Sequence, residues 1–151
     1  TCYYSRFVDE HLPTAFETLA DMVVAASLED SACISEREVV IDAPRSQQDV
    51  AQPFVLGGWA ADLKATSGTG IATVHAWAYP LASGPPVFLG ATAYGGARPD
   101  VAAVHGEEFR DSGFGLVVQG LAHGHYDLAV FAWSTAVADF LPATVVRVTV
   151  R

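Results

Sequence analysis

Ile71-Ala72-Thr73-Val74-His75-Ala76-Trp77-Ala78-Tyr79 alternates over its whole length. Val74, Ala76 and Ala78 fall on one side, and His75, Trp77 and Tyr79 on the other, as successive side chains of an extended strand must. Thr144-Val145-Val146-Arg147-Val148-Thr149-Val150 repeats the pattern, with Val146, Val148 and Val150 opposed to Val145, Arg147 and Thr149. In each stretch one face is core, and the residues alone leave open which. Working outward, further β-rich runs occur at Glu38–Asp42, Phe54–Ala61, Val87–Tyr94, Gly115–Gln119 and Tyr126–Ser134. The breaks between runs carry turn chemistry: Ala43-Pro44-Arg45-Ser46, Ser67-Gly68-Thr69-Gly70, Ser83-Gly84-Pro85-Pro86 and Gly120-Leu121-Ala122-His123-Gly124. Seven short strands punctuated in this way predict a mainly β domain over residues 37–151, folded as a two-sheet antiparallel sandwich. Pro99 and Gly106 are placed to open and close a short crossover helix between the fourth and fifth of these strands.

Residues 1–36 read differently. Pro13-Thr14 is a helix start, and Phe16, Leu19, Ala20, Val23, Val24 and Leu28 follow i, i+3, i+4 spacing, predicting a helix over about 14–28. This unit is too small to hold a core alone. It contains both cysteines, Cys2 and Cys33, which flank the helical pattern. A disulfide between them would close a loop of about 30 residues and contribute roughly 3 kcal/mol; two free thiols are the alternative. A disulfide-stapled helical segment suits an oxidising, extracellular or cell-surface setting.

The chain carries a formal charge of −9, of which residues 1–36 hold −6, and Lys64 is its only lysine. Without a basic cluster to neutralise phosphates, nucleic acid is not an expected partner. No run approaches the ~18 apolar residues of a membrane span, so insertion is not expected either. With 51% apolar and 17% charged residues, the composition is rich enough for a full core and too apolar for disorder. Weakly charged surfaces of this kind tend to pack against something, which favours protein partners or self-association.

Five blocks carry a resemblance: Gly57-Gly58-Trp59-Ala60-Ala61-Asp62; Ser67-Gly68-Thr69-Gly70-Ile71; Val74-His75-Ala76-Trp77-Ala78-Tyr79-Pro80; Ala93-Tyr94-Gly95-Gly96-Ala97-Arg98-Pro99-Asp100-Val101; and Ser112-Gly113-Phe114 with Gly120-Leu121. In order and spacing they resemble a bacterial immunoglobulin-like repeat of large secreted or cell-surface proteins, over about residues 38–151. The resemblance implies a seven-stranded antiparallel immunoglobulin-like or fibronectin-like sandwich with an accessory or architectural role and no catalytic residues. Within such a fold Trp59 and Trp77 are expected to fill the sheet interface. Asp62 is expected to bond loop amides at a strand end, and Arg98 and Asp100 to tie the crossover helix to a loop.

The search for chemistry gives no catalytic site, no cofactor site and no metal site. His123-Gly124-His125 is a short pair, with His75 and His105 elsewhere, and reads as a solvated turn rather than a zinc site of three or four ligands. Asp62, Asp100, Asp111 and Asp127 lack EF-hand spacing and read as turn-capping carboxylates, a calcium site in the loops remaining open. No Gly-x-Ser-x-Gly elbow occurs. Glu107 and Glu108 are adjacent, so they cannot face each other across a sugar. Ser67-Gly68-Thr69-Gly70 lacks the lysine of a phosphate loop. The remaining lead is aromatic: Tyr79, Tyr94 and Trp133 are candidate ligand or interface residues. The expected function is a non-catalytic extracellular structural or adhesive module, capable of assembling into a surface or filament subunit. The alternative is a glycan-binding accessory module of a secreted hydrolase.

Overall fold

The structure is a computed structural model and describes residues 37–151. The expected helical segment 1–36 and the expected Cys2–Cys33 bridge lie outside the described residues. Within them the domain is mainly β. Its strands are β1 (Arg37–Ala43), β2 (Gln48–Val50), β3 (Phe54–Asp62), β4 (Ile71–Pro80), β5 (Val87–Ala91), β6 (Ala93–Gly96), β7 (Gly113–Val118), β8 (Gly124–Ser134), β9 (Asp139–Phe140) and β10 (Thr144–Val150). Helix α1 (Pro99–His105) and a 3-10 turn (Glu107–Phe109) lie between β6 and β7.

Ten strands replace the expected seven. Two are additions: β2 and β9 have three and two residues, too short to show alternation, and they exist through pairing with β10 and β8. The third comes from a division. The run expected over Val87–Tyr94 breaks at Thr92, so that β5 pairs with β4 in one sheet and β6 with β7 in the other. One sheet has the order β1-β3-β7-β6; the other runs β2-β10-β8-β4-β5, with β9 beside β8. All pairings are antiparallel except that of β2 with β10.

The two sheets share one hydrophobic core. Leu56 and Ala60 of β3 and Phe114 and Val118 of β7 meet Val74, Ala76 and Ala78 of β4, Leu128, Val130 and Ala132 of β8, and Val146, Val148 and Val150 of β10. This settles the open faces: the valine–alanine side of Ile71–Tyr79 is core, and His75, Trp77 and Tyr79 face out. The expectation that Trp59 and Trp77 fill the sheet interface is therefore corrected. The interface is closed mainly by alanine, valine and leucine side chains with Phe114 and Tyr126, and these two indoles stand on the outer faces. Trp59 packs with Ala61, Val101 and Phe109 in a second cluster, under α1 and the 3-10 turn.

α1 forms where Pro99 supplies a helix-compatible φ at its first turn and Gly106, at φ 123°, ends it. Arg98 holds this crossover in place. Its guanidinium donates to both carboxylate oxygens of Asp100, at 2.8 and 2.6 Å, and to Asp42 of β1 at 2.7 Å. These contacts raise the Arg98 pKa and lower that of Asp100 to about 2.

Polar contacts join the sheets. The Ser134 hydroxyl at the end of β8 donates to the buried Asp62 carboxyl at the end of β3, at 2.7 Å. Asp62 also accepts from the Lys64 amide at 3.2 Å, as its strand-end position suggested. On one flank the Gln52 side-chain amide mimics a strand rung, donating to the Leu121 carbonyl and accepting from the Leu121 N–H, both at 2.8 Å.

Candidate functional site

The outer face of the sheet containing β4 and β8 is the most distinctive surface of the domain. Because the core-facing positions of β4 and β8 are apolar, their alternate positions point away from the core. Register then assembles those alternates. His75 lies opposite Phe131, Trp77 opposite Ala129, Thr73 opposite Trp133 and Tyr79 opposite Asp127. β9 places Phe140 opposite Trp133, and β5 places Phe88 opposite Trp77.

The result is a continuous belt of rings across four strands. Phe140 touches three of them, with centroids at 5.0 Å from His75, 5.0 Å from Trp133 and 6.4 Å from Phe131. Phe88 lies 5.5 Å from His75 and 4.8 Å from Trp77. The planes meet at 42° or more in every ring pair of the domain; Trp133–Phe140 and Phe131–Phe140 reach 85° and 80°. Each such contact contributes roughly 0.5–1.5 kcal/mol beyond area burial. Ala129, though outward, is buried beneath its neighbours, while Phe88 remains 48% and Phe140 36% exposed.

An ion pair lies toward the other end of this face. There Arg147 of β10 makes a two-pronged ion pair with Asp127 of β8 at 2.7 and 2.8 Å, and His125 Nδ1 meets the Thr149 hydroxyl at 3.0 Å. The pair lowers the Asp127 pKa and raises that of Arg147, the hydrogen bonds between them being the main cause. The opposite face of the domain is partly covered by its own α1, so the two outer faces are unlike.

The candidate aromatics separate. Trp133 belongs to the belt. Tyr79 lies on the same face at its polar end, 37% exposed; by register it is six residues from Trp133, about 20 Å along the strands. Tyr94 is elsewhere, on β6 of the other sheet, packed against the core with its hydroxyl donating to the Ala60 carbonyl at 2.8 Å. Burial pushes its phenol up to about 12. His75, Phe131 and Phe140 were not singled out from the sequence. His75 and Phe131 were within reach of alternation once the outer side was known, whereas Phe140 sits on a strand too short to announce itself.

His123 precedes β8, and His125 belongs to that strand rather than to a turn. His105 stacks on Trp59, 5.5 Å between centroids, with Glu38 at 4.0 Å. Glu107 is engaged by Arg110. Among the described residues, no group of three His, Cys, Asp or Glu side chains is arranged to hold a metal ion. No helix among them is long and apolar enough to cross a membrane. No protein-family model matches the chain, and no curated protein matches it.

Proposed function

We propose that this domain is a non-catalytic, immunoglobulin-like structural and adhesive module of an extracellular or cell-surface protein, which docks another protein through its aromatic face. The strand orders support the immunoglobulin-like reading. β1-β3-β7-β6 corresponds to the A-B-E-D sheet of such domains, and β10-β8-β4-β5 to G-F-C with an added C′ strand. β2 is then a continuation of the first strand that crosses to the second sheet.

The observation that carries the docking role is the packing of the rings. A sugar-binding platform presents ring faces flat and side by side. Here no two rings of the belt lie flat side by side, three of its five pairs meeting edge to face and two tilted at 47° and 48°, so the belt offers a ridged, largely apolar surface suited to protein side chains. Aromatic anchors inside a neutral patch are the usual makings of a protein interface core.

Light scattering over a concentration series tests this with a second copy as the partner. Growth in mass that Phe88→Asp abolishes supports the reading. A strict monomer that is retained on a glycan array, with retention lost in Trp133→Ala, replaces it by the carbohydrate-binding alternative.

A further inference from the structure

From Ala65 to Ala97 the chain holds no Asp, Glu, Lys or Arg, and His75 is the one histidine of this run. The run supplies β4, β5 and β6. Histidine is the side chain whose charge ordinarily changes between about pH 5 and 8. Within these three strands, therefore, position 75 alone can gain charge as the pH falls from neutral.

That position is central to the belt. Trp77 and Phe88 form one group of rings, and Phe140 with Phe131 and Trp133 another. The His75 imidazole joins the two groups, 5.5 Å from Phe88 and 5.0 Å from Phe140. It is partly exposed and lies between two exposed rings. A partner seated on Phe88 and Phe140 covers the imidazole as well.

The surroundings offer little to hold a proton there. β5 brings no ionisable residue. β8 sets Phe131 opposite His75; its Asp127 stands four rungs away, about 13 Å at ~3.3 Å per residue, and is committed to Arg147. His125 of β8 lies further along still. β9 brings Asp139, whose carboxylate accepts from the Phe140 N–H at 2.7 Å. Tyr79 of β4 is a phenol, and phenols are neutral over this pH range. Among the described residues no carboxylate pairs with His75. Beneath an apolar partner an imidazolium would lose its water and gain no counter-charge, which is strongly disfavoured. The neutral ring has one N–H to place.

We propose that His75 makes docking at the aromatic face pH-dependent, the neutral imidazole allowing a partner to close over the belt and the imidazolium opposing it. The covered face binds fewer protons than the open one, so association weakens as the pH falls through the histidine range. This rests on the docking role proposed above and adds its regulation.

Retention of the full chain on a phenyl-substituted resin, at fixed salt, tests it without a natural partner. Parent, His75→Phe and His75→Gln are compared from about pH 8 to about pH 5. The other histidines are common to all three proteins, so their titration cancels in the ratio of parent to variant. Thermal melts at each pH confirm that the proteins are folded. The expected result is a ratio that falls severalfold against both variants, and by at most about tenfold per pH unit, the limit for one linked proton. Phe88→Asp separates this proposal from the docking reading, and Phe140→Ser takes its place if Phe88→Asp does not melt like the parent. Where that variant elutes early but the ratio to either His75 variant stays constant with pH, the switch is overturned and the docking face stands. Where it is retained as well as the parent at about pH 8, the belt is not the adhesive surface, and the docking reading falls together with the switch.

Discussion

Gly58 and Gly115 stand on adjacent strands, and the same substitution at each has an opposite expected effect. Neither is among the glycines with positive φ, so neither is needed for backbone freedom. A β-carbon on Gly58 would lie 1.9 Å from the Val40 carbonyl oxygen, 2.9 Å from its carbon and 3.0 Å from the Phe114 ring. Non-bonded heavy atoms prefer about 3.5 Å, so β1 would have to leave β3 by more than about 1 Å. Two of these three neighbours are backbone atoms held in a ladder and cannot swing aside. Gly58→Ala is expected to cost more than about 4 kcal/mol, the range reserved for severe strain, out of a total of about 5–15 kcal/mol. A β-carbon on Gly115 meets nothing within 4 Å. Gly115→Ala is expected to stabilise by about 0.4–1 kcal/mol by restricting the unfolded chain. Thermal and urea unfolding of the full chain reads both: a Tm lowered by more than about 10 °C or outright failure to fold for the first, and a rise of about 2–5 °C for the second. Gly58→Ala within about 1 kcal/mol of the parent would refute the close β1–β3 approach. Destabilisation at Gly115 would show that the space above it is filled.

Ser134→Ala removes the hydroxyl that joins the buried Asp62 to β8; a loss of about 1–3 kcal/mol is expected by urea denaturation, and a change below about 0.5 kcal/mol would show that the strap contributes little. Asp100 titrates at about 2 because Arg98 bonds its carboxylate. Its folded pKa is depressed, so its contribution to stability is present above about pH 4 and lost as the pH falls to about 2. Arg98→Gln should return the Asp100 carboxyl toward its ordinary range in an NMR titration; an unmoved Asp100 would assign the depression to another cause. Tyr94 is raised from 10.0 to about 12, so the neutral phenol stabilises the fold fully below pH 10 and that contribution declines as the pH rises toward 12. Tyr94→Phe should remove this alkaline decline and cost about 1 kcal/mol at neutral pH through the lost bond to Ala60.

Strand positions were legible wherever a strand is long enough to alternate. Thr144–Val150 was read to the residue, and Ile71–Tyr79 and Phe54–Ala61 to within one residue at one end. Pro99 and Gly106 bracketed α1 because their effects on φ are local. Gln48–Val50 and Asp139–Phe140 were not legible, since their conformation comes from partners about a hundred residues away and only a few residues away, respectively. The break at Thr92 was hidden for a related reason: both halves of Val87–Gly96 are extended, and only the choice of neighbouring strand changes between them. The aromatic belt was half visible. Trp133 stood out by residue type, but alternation alone is symmetric and does not tell core from solvent. The fold breaks that symmetry: Ala76 and Ala78 pack between the two sheets, whereas His75 and Trp77 lie on the outer side. Tyr94 shows the limit of choosing residues by type, because its ring shares a chemistry with the belt but is committed to the core side of the other sheet.

The two sheets are also sewn together along both long sides. On one side the chain passes from β1 in the first sheet to β2 in the second through Pro44–Gln47; on the other it passes from β5 to β6 at Thr92. Neither sheet can peel away as a separate leaf without undoing a seam, so the domain should melt as a single cooperative unit. The seams also define where new ends can be introduced. A circular permutant opened in the exposed Arg45–Gln47 turn leaves every strand whole yet frees one side, and its sheets can then part like an unstitched cover.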